Sequence, residues 1–166
     1  DVPLAAKSSA MDKAAFKPFR DLWVNGRRAT RARIPNEGYF RVESAGLDNR
    51  TSFVATASEF QSPAHPELAE VGFLHDWSMS RIRLAATDAA TRTYTFNAPI
   101  GADMAQFAIS NFEANPRYFL ENAREFLDAP GEWFLDEAAG KLHYVPREDE
   151  TLETAQAIAP QLEQIV

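Results

Sequence analysis

Asn25-Gly26 commits the chain, close to its start, to an antiparallel hairpin. Both central residues of a two-residue loop need positive φ to match the twist of the flanking strands, and Asn-Gly meets that demand at little cost. The flanking residues alternate in character, with Leu22-Trp23-Val24 before the turn and Arg27-Arg28 after it. A two-residue loop sets Val24 opposite Arg27 and Trp23 opposite Arg28, which brings an indole beside a guanidinium in the manner of a cation–π pair. Pro35 has no N–H to give and stops the second strand's ladder.

Similar punctuation recurs along the chain. "YFRVES" (39–44) and "TSFVATAS" (51–58) read as strands, and "EFQSPAHPELAE" with its two prolines reads as a loop. "VGFLHDWSMSRIRLAATD" alternates from Val71, with Val71, Phe73, His75, Trp77 and Met79 on one face and Leu74, Ile82 and Leu84 on the other. "ATRTYTFNAP" is rich in Thr and aromatics and reads as a strand, while "GADMAQFAISNFEANP" suits a short helix within a loop.

The segment "FLENAREFLDAPGEWFLDEAAGKLHYVP" is the most tightly broken of all. From Arg117 onward Phe119, Ala123, Phe126 and Leu127 fall at helical spacing, and Pro130-Gly131 end that helix. "EWFLD" and "KLHYVP" then form a hairpin that closes at Gly140. Many short strands with few helices predict a mainly β fold, a β-sandwich or partly open β-barrel with one or two short helices. Residues 1–18 read as an irregular lead-in, 19–150 as the β-rich domain, and 151–166 as a tail. The tail carries Ile158, Leu162, Ile165 and Val166 and is expected to run on into further structure and pair there, leaving an unpaired, self-associating edge in the isolated chain unless it folds back onto the domain.

Composition narrows the possible functions. A chain of 166 residues suits one domain that buries about two-thirds of its unfolded surface. A net charge of -7 argues against general nucleic-acid binding, which needs a basic face for phosphate. No apolar run approaches the roughly 20 residues of a membrane-spanning helix, so no membrane partner is expected. The first residues show no basic stretch followed by an apolar core and no initiator Met, so a mature chain or excised fragment is expected. There is no cysteine, which excludes disulfides, thiol nucleophiles and thiolate metal sites. Asn49-Arg50-Thr51 matches a glycosylation sequon, which matters only in a eukaryotic secretory route.

Four groups of residues can carry chemistry. Glu121, Glu125 and Asp128 lie at helical spacing, followed by Glu132 and Asp136, and a pair of carboxylates is what glycoside hydrolysis requires. The same spacing also describes the solvated acidic face of a helix. His65, His75 and His143 are scattered and make no metal-ligand pattern, and His75-Asp76, adjacent on a strand, point to opposite faces. Trp23, Trp77, Trp133, Tyr39, Tyr118 and Tyr144 can stack on sugar rings or fill a core. Arg27, Arg28, Arg31 and Arg33 can grip uronate carboxylates or line a solvated strand.

Three separated stretches carry a resemblance. "LWVNGRRATRARIPN" (22–36) resembles the entry of the inserted β domain found in bacterial right-handed parallel β-helix proteins. "HDWSMSRIRL" (75–84) resembles that insertion's W-S-x-S-R strand, and "NPRYFLENAREFLDAPGEWFLDEAAGKLHYVPR" (115–147) resembles its exit. The family is that around glycoside hydrolase family 141, which includes α-L-fucosidases and xylanases. Phe134 and His143 stand where that pattern usually has Tyr, which removes two phenol hydroxyls.

The resemblance implies a non-catalytic insertion domain of a polysaccharide-degrading parallel β-helix enzyme, extracellular or periplasmic in a bacterium. Its expected partner is the β-helix catalytic domain of the same chain, with plant cell-wall polysaccharide as the wider target. The family's catalytic carboxylates are expected on the β-helix coils, so no catalytic residue, cofactor or metal ligand is assigned here. Candidate substrate-binding residues are Trp77 and Arg81 from the W-S-x-S-R strand, with Arg31 and Arg33 from the arginine stripe. Two rival expectations are an independent carbohydrate-binding module and a self-sufficient hydrolase using Glu121 or Glu132.

Overall fold

A computed structural model describes residues 18–102 and 104–160. The lead-in up to residue 17 and the tail positions Leu162, Ile165 and Val166 lie outside the described residues. Thirteen strands run in the order β1 (Trp23–Val24), β2 (Arg27–Arg28), β3 (Thr30–Arg31), β4 (Arg33–Ile34), β5 (Phe40–Ala45), β6 (Ser52–Ala55), β7 (Glu70–Leu74), β8 (Met79–Asp88), β9 (Thr93–Phe96), β10 (Arg117–Glu121), β11 (Glu132–Asp136), β12 (Lys141–Tyr144) and β13 (Ala157–Ile158). Helical structure among the described residues is limited to three-residue 3-10 turns at Pro66–Leu68, Ile109–Asn111 and Arg124–Phe126. The mainly β class is borne out. The chain divides into two compact units, one of Asp1–Arg33 with Arg124–Val166 and one of Ile34–Ala123, and β4 spans the division.

The first unit is built on the expected hairpin. Asn25 and Gly26 have φ of 51° and 75°, Trp23 pairs with Arg28, and Val24 pairs with Arg27. The Arg28 guanidinium lies 5.8 Å from the Trp23 ring centroid. On its other edge β1 takes β13, with Trp23 opposite Ile158, so the described part of the tail folds back. β11 pairs antiparallel with β12, closing near Gly140 at φ 63°, and parallel with β3. These sheets enclose Phe19, Leu22, Val24, Ala29, Trp133, Leu135 and Tyr144, with Leu152, Ala155 and Ala159 of the tail packed against them.

The second unit is a barrel of six strands in the order β10-β5-β6-β9-β8-β7, closed by the pairing of β7 with β10. Register shifts between Val42 and Ser44 and between Leu84 and Ala86 bend the sheet where it must curve. Phe53, Phe73, Tyr94, Phe96 and Tyr118 fill the interior, with ring centroids 4.6–6.2 Å from Phe53. Closure leaves no free edge between these six strands and ties every backbone ladder to a neighbour.

Three expectations change. The helix from Arg117 is not formed: Arg117–Glu121 is strand β10, and only Arg124–Phe126 makes a 3-10 turn. The spacing of Phe119, Ala123 and Phe126 coincides with the continuous run Tyr118-Phe119-Leu120, which a strand buries on both faces. Asn122, at φ 59°, then turns the chain out of the strand. The segment from Val71 is not one strand but the hairpin β7–β8, whose turn is closed by the His75 N–H donating to the Ser78 carbonyl at 2.9 Å. Finally, Glu121 does not belong to a solvated acidic face, because on β10 it is buried.

Candidate functional site

The turn between β7 and β8 sits at one mouth of the barrel and carries the Trp77 indole into solvent, 80% exposed. Alternation breaks here because the strand ends at Leu74, so Trp77 does not follow Val71 and Phe73 inward. The adjacent His75 does turn inward, and only 5% of it is exposed. Its ring lies 5.7, 4.9 and 4.4 Å from the rings of Phe73, Phe107 and Phe112. Nε2 is 2.7 Å from the Ser80 hydroxyl, which also accepts the Gly101 N–H at 3.2 Å, and Nδ1 has no hydrogen-bond partner among the described residues. Burial pushes the His75 pKa down against the pull of the Asp76 charge, which favours the neutral ring.

Trp77 is supported from below. Its ring makes an edge-type contact with Phe107 at 6.4 Å and 75°. Phe107 is held by the approach of Gly101, where a Cβ would stand 2.3 Å from the Phe107 Cβ. Arg50 fixes the same loop by donating to the carbonyls of Phe107 (3.1 Å), Ile100 (2.9 Å) and Ala102 (2.5 Å). Met79 and Met104 are exposed large apolar side chains of this unit, at 41% and 49%. Phe107 and Arg50 escaped the sequence reading because both act across long loop separations, and no local spacing reveals them.

Arg81, on the outer wall of the barrel, is half-exposed, and its Nε lies 3.1 Å from a Glu121 carboxylate oxygen. Glu121 sits directly across from Glu70, and Arg83 Nε stands 3.8 Å from Glu70. Two buried carboxylates opposite each other repel, so each brings its own guanidinium. Two residues further along the same pair of strands the Phe119 ring covers Gly72, where a Cβ would fall 2.2 Å from the ring.

Arg31 and Arg33 belong to the first unit, Trp77 and Arg81 to the second. The Arg31 guanidinium lies 6.0 Å from the Trp133 ring centroid, and the Arg33 N–H donates to a Glu132 oxygen at 3.3 Å. Arg28 pairs with Asp21, and Arg27 with Asp149 and Glu150 at 2.7 and 3.0 Å. The guanidinium groups of Arg27, Arg28 and Arg31 thus each have a partner within the fold, while the Arg33 contact is made by its backbone.

Glu132 is buried and accepts the backbone N–H groups of Asp128 and Ala129 at 3.1 Å each, besides that of Arg33. Burial, with the nearby Asp128 charge, raises its pKa against the pull of these three donors. A raised carboxyl is what a general acid looks like, but here its oxygens already close the turn before β11. Glu150 is the anchor of the tail. It accepts the Tyr144 hydroxyl at 2.5 Å, Arg147 Nη1 at 2.9 Å and Arg27 at 3.0 Å. Burial pushes its carboxyl up, and the hydrogen bonds from Tyr144, the Arg147 backbone, Arg27 and the Arg147 side chain outweigh it, leaving a pKa of about 2. Phe134 and His143 face each other across β11–β12 with centroids 5.8 Å apart, and Arg124 Nη1 stands 3.5 Å from the His143 ring nitrogens. An apolar pocket of about 90 Å³ beside Leu22, Tyr144 and Leu152 is far below the roughly 300–1,000 Å³ of small-molecule sites.

The family model of the GH141 insertion domain matches residues 5–147. The chain is also similar to a solved structure of a protein described as a glycoside hydrolase, at 27% identity and a TM-score of 0.69. That likeness covers 89% of this chain and 27% of the other, so this chain spans about a quarter of that protein's length. No curated protein matches. Three motif stretches in the expected order, a barrel entered and left through one hairpin-based unit, and a match over most of its length lead to one assignment: the chain belongs to the GH141 insertion domain family.

Proposed function

We propose that this domain is a non-catalytic accessory part of a bacterial, polysaccharide-degrading β-helix glycoside hydrolase, acting outside the cell or in the periplasm. It walls one side of the substrate groove or braces the solenoid. Its partner is the β-helix catalytic domain of the same chain, and its wider target is plant cell-wall polysaccharide. Family membership supports the setting.

The observation that carries the non-catalytic part is the fate of the two carboxylates that a self-sufficient hydrolase would use. Glu121 is held by Arg81 within the barrel unit, and Glu132 by three backbone N–H groups in the other. A glycosidase needs an acid and a nucleophile or base that flank one scissile bond and can reach it. Both carboxylates are buried and already engaged by partners within their own units.

Cross-linking followed by mass spectrometry on the enclosing gene product tests the accessory role. Links from Lys141 to β-helix coils of the same chain are expected. A gene product without β-helix coils, in which this domain binds polysaccharide alone, would instead establish the independent carbohydrate-binding module.

A further inference from the structure

The geometry points to a binding site at the β7–β8 turn: a stacking platform for the pyranose rings of a neutral glycan, with the Trp77 indole as its contact face. The inference rests on the accessory-domain reading above and adds the part of the domain that touches sugar.

The platform is fixed before any ligand arrives. Trp77 is 80% exposed, yet it stands on Phe107, which in turn is held by Arg50 and by the bare backbone of Gly101. His75 and Ser80 lock the turn from inside the barrel. An edge-type contact at 75° leaves an indole face open to solvent. An aromatic ring held this way loses little conformational entropy on binding.

The surroundings select the ligand. Asp76 and Ser78, both exposed, flank the indole and can accept and donate hydrogen bonds at the hydroxyl rim of a sugar. The apolar C–H face of a pyranose covers the ring, so the ligand matches an apolar surface with a polar border. Asp76 repels a uronate, and the basic side chain of this strand nearest in sequence, Arg81, is paired with Glu121. Neutral sugars are therefore favoured over acidic ones. A protein partner is the poorer fit, because Trp77 and the partly exposed Met79, interleaved with Asp76 and Ser78, form a small patch beside the ~800 Å² each side of a stable protein interface.

Isothermal titration of the 166-residue chain with xylohexaose, a fucosylated xyloglucan oligosaccharide and trigalacturonate tests this, using the wild type, Trp77→Ala and Trp77→Phe. Circular dichroism confirms that each variant is folded. We expect binding of at least one neutral oligosaccharide, weakened about tenfold or more in Trp77→Ala and partly retained in Trp77→Phe. Absence of neutral-sugar binding by the wild type, affinity unchanged in Trp77→Ala, or preference for trigalacturonate overturns the platform. Iodide quenching of the enclosing enzyme without sugar adds a further outcome: if Trp77 is shielded there, the tip docks on protein and the sugar site is wrong. Chromatography of the same mixtures keeps the two readings apart, since hydrolysis by the chain alone would contradict the accessory role whatever Trp77 does.

Discussion

Trp77 and Trp133 carry the same indole into opposite environments, and the difference is set by where each strand ends. Trp133 lies in the middle of β11's buried face, stacks on Phe19 at 5.3 Å and is fully buried. Trp133→Ala is expected to cost about 3–5 kcal/mol, read by urea unfolding. Trp133→Phe should cost much less, because Nε1 has no hydrogen-bond partner among the described residues and its removal relieves a buried polar group. The Asn25-Gly26 turn was legible from two letters, since positive φ is a local demand. Gly26→Val should destabilise by about 1–3 kcal/mol, although nothing lies within 4 Å of the added Cβ, so the whole effect is backbone strain. An unchanged midpoint would contradict a turn that needs positive φ at Gly26. Trp77 was not legible in the same way, because period-two alternation continues past Leu74 in the letters while the strand itself stops.

Among the elements, β10 shows how two periodicities compete. Its apolar positions fit a helix, but its neighbours across the barrel offer Gly72 as a seat for Phe119 and an aromatic interior for Tyr118. Those partners are far away in sequence, so the spacing of one segment cannot reveal them. Gly72→Ala pushes a Cβ into the buried Phe119 ring and should cost about 1–3 kcal/mol. Phe119→Leu in the same chain should recover part of that loss, and a double-mutant cycle with no coupling would contradict the contact. The tail segment is the second case. Leu152 and Ala155 pack on the core, and β13 pairs with β1, so truncation after Pro146 should lower the melting temperature by several degrees or more. Glu150 adds a pH signature to the same clamp. Its folded pKa of about 2 lies below the ordinary value of 4.5, so its stabilisation is full above pH 4.5 and fades as the pH falls towards 2. Glu150→Gln should flatten that part of the acid-unfolding profile. An acid profile identical to the wild type's would mean that the clamp is not formed in solution.

The whole molecule was legible in outline through the order of its motifs rather than through any single one. "LWVNGRRATRARIPN" and the long stretch from 115 to 147 bracket the chain, and the folded unit built from both ends reflects that bracketing. The closed barrel between them follows from many short strands. Its closure through β7 and β10 depends on pairing between residues about 50 positions apart, and no turn residue announces it. Glu121 fits a solvated helical face for the same reason, and neither its burial nor that of Glu132 shows until the strands and turns that enclose them are in place. Their burial and their partners within the fold support the proposal that this domain is non-catalytic. The most direct test is turnover of aryl fucosides and aryl xylosides by the purified 166-residue chain, followed at enzyme concentrations high enough to detect very slow hydrolysis. No release above the buffer rate is expected. Release that exceeds it, and that disappears in folded Glu121→Gln or Glu132→Gln, would contradict the non-catalytic proposal.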